Sequence, residues 1–125
     1  MFDHELSGIV LHSAIHVHKQ LGPGLLESTY RQCLSHYLHL QGLSVVQERA
    51  VPVVFEGIKL ECGYRMDLLV EGQLLVECKS IEALAPIHTA QVLTYLRLSQ
   101  LRFGLLINFN VSRLVDGVKR VVNGY

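Results

Sequence analysis

The stretch Arg65-Met66-Asp67-Leu68-Leu69-Val70-Glu71-Gly72-Gln73-Leu74-Leu75-Val76-Glu77-Cys78-Lys79 sets two apolar, β-rich runs around a Glu-Gly pair and carries the acids and lysine that stand out in this chain. Such runs on either side of Glu71-Gly72 predict a β-hairpin. Side chains alternate along a strand, so Glu77 and Lys79 share a face. Whether Asp67 joins them depends on the connection. A strict two-residue turn pairs Asp67 with Val76 and leaves Glu77 on the other side. A three-residue loop or a bulge brings Asp67 and Glu77 together. A site built from all three residues therefore requires the longer connection.

Outward from the hairpin the pattern is mixed. Leu6, Ile9, Val10, Ala14 and Val17 recur at helical period over residues 5–20, and Gly22-Pro23 ends that helix. A second helix is expected from near Gly24 to about Gln41, supported by Leu26, Tyr30, Leu34 and Leu38. Residues 44–47, 51–55 and 59–70 read as strands ahead of 74–79, with Glu56-Gly57 as a second hairpin turn. Pro86 opens a third helix, and Ile87, Ala90, Thr94, Leu98 and Leu101 form one stripe of it. Residues 103–109 are apolar without alternation, as in a strand covered on both faces. A short terminal helix is expected near 112–122. The resulting fold class is α/β, a mixed β-sheet flanked by helices.

At 125 residues the chain fits a single domain, 1–125, able to bury a core without disulfides or a structural metal. Its hydrophobic fraction of 50% and mean hydropathy of +0.31 are high for so small a domain, and a homodimer interface would account for the excess. Eleven basic and eleven acidic residues leave no net charge, against the basic excess of tight, non-specific DNA binders. The three cysteines lack CxxC spacing and read as buried thiols of a reducing compartment. Asp3 and Glu5 do not suit a signal peptide, and no run approaches the ~20 apolar residues of a membrane span. A cytoplasmic protein without membrane contact is the expectation. His12 and His16 have an i, i+4 spacing that can hold zinc, but neither an HExxH pattern nor a third ligand accompanies them.

The Asp67, Glu77 and Lys79 grouping has a chemical logic. Carboxylates held close together repel, so one of them keeps its proton or the group takes up a cation. Mg²⁺ prefers hard oxygen ligands, which two carboxylates and a backbone carbonyl can supply. A metal there can polarise a phosphodiester and promote loss of a proton from water. A neighbouring ammonium can orient that water or stabilise developing charge.

Asp67, nine intervening residues and Glu77-Cys78-Lys79 resemble the D…ExK signature of PD-(D/E)xK nucleases. Gly24-Leu25-Leu26-Glu27-Ser28-Thr29-Tyr30 matches the motif of the GxxExxY family of that superfamily, and Gln91-Val92-Leu93-Thr94-Tyr95 resembles the QxxxY motif of its RecB-like branch. The likeness runs from His18 and Leu21-Gly22-Pro23-Gly24 through Cys62-Gly63-Tyr64-Arg65-Met66-Asp67 to Gly104-Leu105-Leu106-Ile107-Asn108-Phe109. The resemblance implies a restriction-endonuclease-like core binding Mg²⁺ (or Mn²⁺). Asp67 and Glu77 would be direct ligands, the Cys78 carbonyl a third, and Glu27 would complete the metal shell. Lys79 would be the catalytic lysine, with Gln91 and Tyr95 approaching from one face of the third helix, His88 alongside. Tyr30 would pack beneath the site or hydrogen-bond an acid.

Each residue also has a plainer reading. An Asp at a strand end is commonly a solvated turn residue, and an ExK sequence an exposed charge pair. The two tyrosines bury well wherever a helix meets a sheet. No lysine follows Gly22-Pro23-Gly24, so they form a helix–helix turn rather than a phosphate loop. Two functions are therefore expected in order. The first is a Mg²⁺- or Mn²⁺-dependent nuclease acting on nucleic acid, DNA ahead of RNA. The second is a nuclease-fold binding or assembly module without turnover.

Overall fold

In the computed structural model, which describes residues 1–124, two helices precede the sheet: α1 (Asp3–Leu21) and α2 (Glu27–Leu40). The strands are β1 (Val45–Ala50), β2 (Val53–Phe55), β3 (Ile58–Leu60), β4 (Arg65–Val70) and β5 (Leu74–Lys79). Helix α3 (Pro86–Leu98), β6 (Phe103–Asn108), a 3₁₀ turn (Leu114–Gly117) and β7 (Val118–Val122) complete the order. The main sheet runs β1-β4-β5-β6-β7, and β2 and β3 form a separate two-stranded ribbon. Only the β5–β6 pair is parallel, because α3 carries the chain back across the sheet between those strands.

The two central strands are buried along almost their whole length, which is why their sequences run apolar without alternation. One face packs Leu6, Val10, Tyr30, Leu34 and Leu38 of α1 and α2 against Leu68, Val76, Cys78, Leu105 and Ile107. The other packs Val92, Tyr95 and Leu96 of α3 against Leu69, Leu75 and Leu106. Each fully buried leucine contributes about 1.5–3 kcal/mol relative to exposure, so the two layers hold the sheet from both sides. At Gly104 a Cβ would lie 3.0 Å from Val92 Cγ1, so α3 sits close on β6 because that position lacks a side chain.

Three differences from the sequence expectation matter most. The segment expected as a terminal helix forms a 3₁₀ turn and then β7, antiparallel to β6. Val118, Val121 and Val122 are β-branched, and pairing them with β6 satisfies an edge that a helix would leave bare. The long run from 59 to 70 is broken at residues 61–64, where Gly63 turns the chain at φ +83°. Helix α2 starts at Glu27, with Leu26 extended as its N-cap residue, so Gly24 belongs to the connection. Among the described residues no helix is long and apolar enough to cross a membrane.

Gly117 is the tightest glycine: a Cβ there would run into the backbone carbonyl of Asn108. Gly117→Ala should therefore destabilise the protein by about 1–3 kcal/mol through overpacking. Thermal unfolding would read this as a drop of several degrees in Tm, and an unchanged Tm would contradict the packing described.

Candidate active site

The position of the acids is decided by the β4–β5 connection. Val70 pairs with Leu74, Leu69 with Leu75 and Leu68 with Val76. Glu71 and Gly72 adopt φ +55° and +64°, and Gln73 N–H donates to Val70 O at 3.0 Å. Gln73 is then an additional residue before pairing resumes, so the loop has the odd length a shared site requires. Ser44 fixes this turn from the side: its N–H donates to the Glu71 carboxylate at 2.7 Å, and its carbonyl accepts Glu71 N–H at 2.8 Å.

The same register continued by one residue sets Asp67 across from Glu77. Regular pairing has ended there, and side chains supply the next two hydrogen bonds. Asp67 N–H donates to Glu77 Oε1 at 2.9 Å, and Cys78 N–H donates to Asp67 Oδ2 at 2.7 Å. Glu77 is only 4% exposed. Burial, and after it the Asp67 charge, push its carboxyl up to about 8. Burial also raises Asp67, although Cys78 N–H and the charges of Arg31 and Lys79 act the other way. Cys78 is wholly buried and its thiol is pushed up, first by burial and then by both acids, so its sulfur is no nucleophile. All three cysteines are free thiols, but against expectation only Cys78 is buried; Cys33 is half-buried and Cys62 exposed.

The two helical layers bring further groups to this end of the sheet. From α2, Glu27 Oε1 accepts Ser80 N–H at 3.3 Å, immediately after Lys79. One turn further along, Arg31 lies 3.6 Å from Glu48 Oε1 and donates to Gln47 Oε1 at 3.3 Å. From α3, Gln91 Nε2 donates to Tyr95 Oη at 3.4 Å. These two residues, His88 and Lys79 line a cleft of about 670 Å³. Burial raises the Tyr95 phenol, and the Glu77 charge raises it further, so the ring senses the acid pair. His88 is turned by its own helix start, where Nδ1 accepts Ala85 N–H at 2.8 Å.

Other sequence candidates lie elsewhere. Tyr30 does not hydrogen-bond an acid: its hydroxyl donates to Gly22 O, and its ring stacks on Phe109 at 4.5 Å. The His18 ring bonds Val111 O at 2.8 Å. His12 and His16 face a groove on α1, with His16 stacked on Tyr37 at 4.4 Å. Among the described residues no three or more His, Cys, Asp or Glu side chains converge as a ready metal cage. Any metal at the acid pair would therefore take backbone and water oxygens beside the two carboxylates.

The sequence profile of the PD-(D/E)XK nuclease superfamily matches residues 4–121. The chain belongs to that superfamily. No curated protein and no solved structure gives a significant match. Membership supports a nuclease-type function and a divalent metal, which PD-(D/E)XK nucleases generally use. The donor set suits such an ion: two hard carboxylates, forced together in a buried place, keep a proton where a cation could sit.

Some groups around the acid pair carry no motif in the sequence. Arg31 follows Glu27 by one helical turn, a spacing that could have flagged it. Asn108 had no such signal. Buried at the end of β6, it accepts Ile81 N–H at 3.1 Å and donates to Ile81 O at 3.0 Å. With Phe109 N–H bonded to Lys79 O at 2.8 Å, this bridge fixes the chain on the far side of the lysine.

The Glu77 shift has a definite sign in stability. Its folded value of about 8 lies above the ordinary 4.5, so between those values the folded state holds a proton that the unfolded state has lost. Stability then falls as pH rises through that window, by up to about 1.4 kcal/mol per pH unit. Glu77→Gln keeps an oxygen acceptor for Asp67 N–H and carries no charge. In a chelating buffer the variant should show a higher Tm than the native chain at pH 8 and a flatter Tm profile from pH 5 to 8. Parallel profiles would contradict the burial of this carboxyl.

Proposed function

We propose that this protein is a Mg²⁺- or Mn²⁺-dependent nuclease of the GxxExxY type, in the RecB-like branch, hydrolysing phosphodiester bonds of DNA or, second, of RNA. The observation that carries the reading is the pairing of Asp67 with Glu77 across the open end of β4 and β5. Lys79 lies two residues on, at the cleft. A bound divalent cation would supply Lewis acidity toward the phosphodiester and make water easier to deprotonate.

The chain's own groups divide the remaining work. Asp67 and Glu77 offer the metal-facing carboxylates and the Cys78 carbonyl a third oxygen, while Glu27 stands behind them at Ser80. The Arg31 charge favours the ionised form of Asp67. Lys79 presents an ammonium to water or to charge building on the phosphate oxygens. Gln91 and Tyr95, joined to each other, face the same cleft and position the substrate.

The alternative, a binding or assembly module without turnover, has one observation in its favour. Both carboxyls already satisfy backbone N–H groups and need no cation to do so. One experiment separates the two readings. Purified protein with Mn²⁺ should cut at least one of single-stranded DNA, duplex DNA or RNA. Lys79→Ala should lower the rate about 100- to 1,000-fold, and Asp67→Asn should abolish it. No cleavage of any substrate by the native chain would defeat the nuclease reading and leave the module.

A further inference from the structure

The cleft beside Lys79 has a character that the hydrolytic machinery does not explain. Its walls include Val53, Ile87 and Leu98 as well as Tyr64 and Tyr95, and Lys79 is the only lysine or arginine among its lining residues. Tyr64 and Ile87 are 48% and 70% exposed, so both are accessible at the mouth of the cleft. The ring centroids of Tyr64 and Tyr95 are 6.1 Å apart and inclined at 54°, so Tyr64 is backed by a second aromatic ring. Its main chain is fixed too. Val51 N–H donates to Tyr64 O at 2.8 Å, and Gly63 before it turns at φ +83°. Tyr64 is thus a pinned aromatic surface facing open space at the rim of the cleft.

Away from Lys79, a phosphate backbone would not choose such walls, because phosphates are held by clusters of lysine and arginine. Nor does a duplex suit a cleft of about 670 Å³, since its bases are stacked on one another inside. An unpaired nucleobase suits it well: a flat π-face stacks on an aromatic ring, and hydrophobic walls take its edges. Gln91 and Thr94 offer hydrogen-bonding groups within the same walls. We propose that this cleft receives an unpaired nucleobase stacked on Tyr64, which makes the preferred substrate a single-stranded segment presented beside Asp67, Glu77 and Lys79. The assignment rests on the nuclease reading above for the class of ligand. It adds a specificity residue, Tyr64, that touches the base and not the scissile bond.

Binding without cleavage tests it. A single-stranded decamer carrying 2-aminopurine is titrated into the full chain in EDTA, beside its duplex and an abasic decamer of equal length. Quenching of 2-aminopurine is expected with the native chain and with Tyr64→Phe. Tyr64→Ala should weaken binding about 5- to 150-fold, the range expected for one lost stacking contact, while its Tm stays at the native value. The duplex and the abasic decamer should bind at least about tenfold more weakly than the single strand. Equal affinity for the abasic decamer, an unaltered Tyr64→Ala, or no binding of the single strand would each overturn the inference. Cleavage without base-dependent binding removes this inference alone. Base-dependent binding by a protein that cuts nothing removes the nuclease reading alone.

Discussion

Two main-chain N–H groups, those of Asp67 and Cys78, lie where β4 and β5 stop pairing, and carboxylates rather than carbonyls satisfy them. A buried N–H left without a partner costs about 1–3 kcal/mol, so at this point of the sheet the acids are structural necessities. Each acid is held by the other's strand: Glu77 by the backbone of Asp67, and Asp67 by the backbone next to Glu77. This reciprocal arrangement orients both side chains before any ligand arrives. It also stores an electrostatic tension, because burial and mutual repulsion work against ionising both carboxyls.

The rest of the architecture serves that open end. Helix α2 lies over one face of the sheet and delivers Glu27 and Arg31, the first to the chain beyond Lys79 and the second to the field around Asp67. Helix α3 lies over the other face and delivers Gln91 and Tyr95 to the cleft. Neither layer could do this if the β4–β5 loop were one residue shorter. A one-residue shift reverses which side chains face each layer, and Leu69 and Leu75 would lose their contacts beneath α3 as well. Core and site therefore share one register.

Much of this was legible because periodicity and turn chemistry are local. Glu56-Gly57 and Glu71-Gly72 mark both hairpins, and the unalternating runs at 74–79 and 103–108 mark the covered strands. The sequence could state that Asp67 and Glu77 meet only across an odd-length loop; it could not choose the loop, since Glu71-Gly72 alone also suits a two-residue turn. The terminal strand was misread as a helix because Val118–Val122 has few residues and its reason for being extended is the edge of β6, a partner far back in the chain. Tyr30 shows the same limit. Its place in the Gly24–Tyr30 motif is local, but its stacking on Phe109 and its bond to Gly22 are tertiary facts. Asn108, read as part of an apolar strand and of the family likeness, holds the loop after Lys79 through contacts no spacing rule anticipates.

The bridge between Asn108 and Ile81 has a consequence for the order in which the protein matures. β6 lies between β5 and β7, and it reaches its place only after α3 has crossed the sheet. Until then the loop behind Lys79 lacks its tie to Asn108 and is held only from the α2 side, where Ser80 bonds Glu27 and Leu25. Non-local pairing of this kind forms late, since the chain must first close a long loop. A partly folded chain would hold Asp67 and Glu77 with the lysine less firmly fixed beside them. Completion of the candidate site is thereby deferred until the sheet is whole.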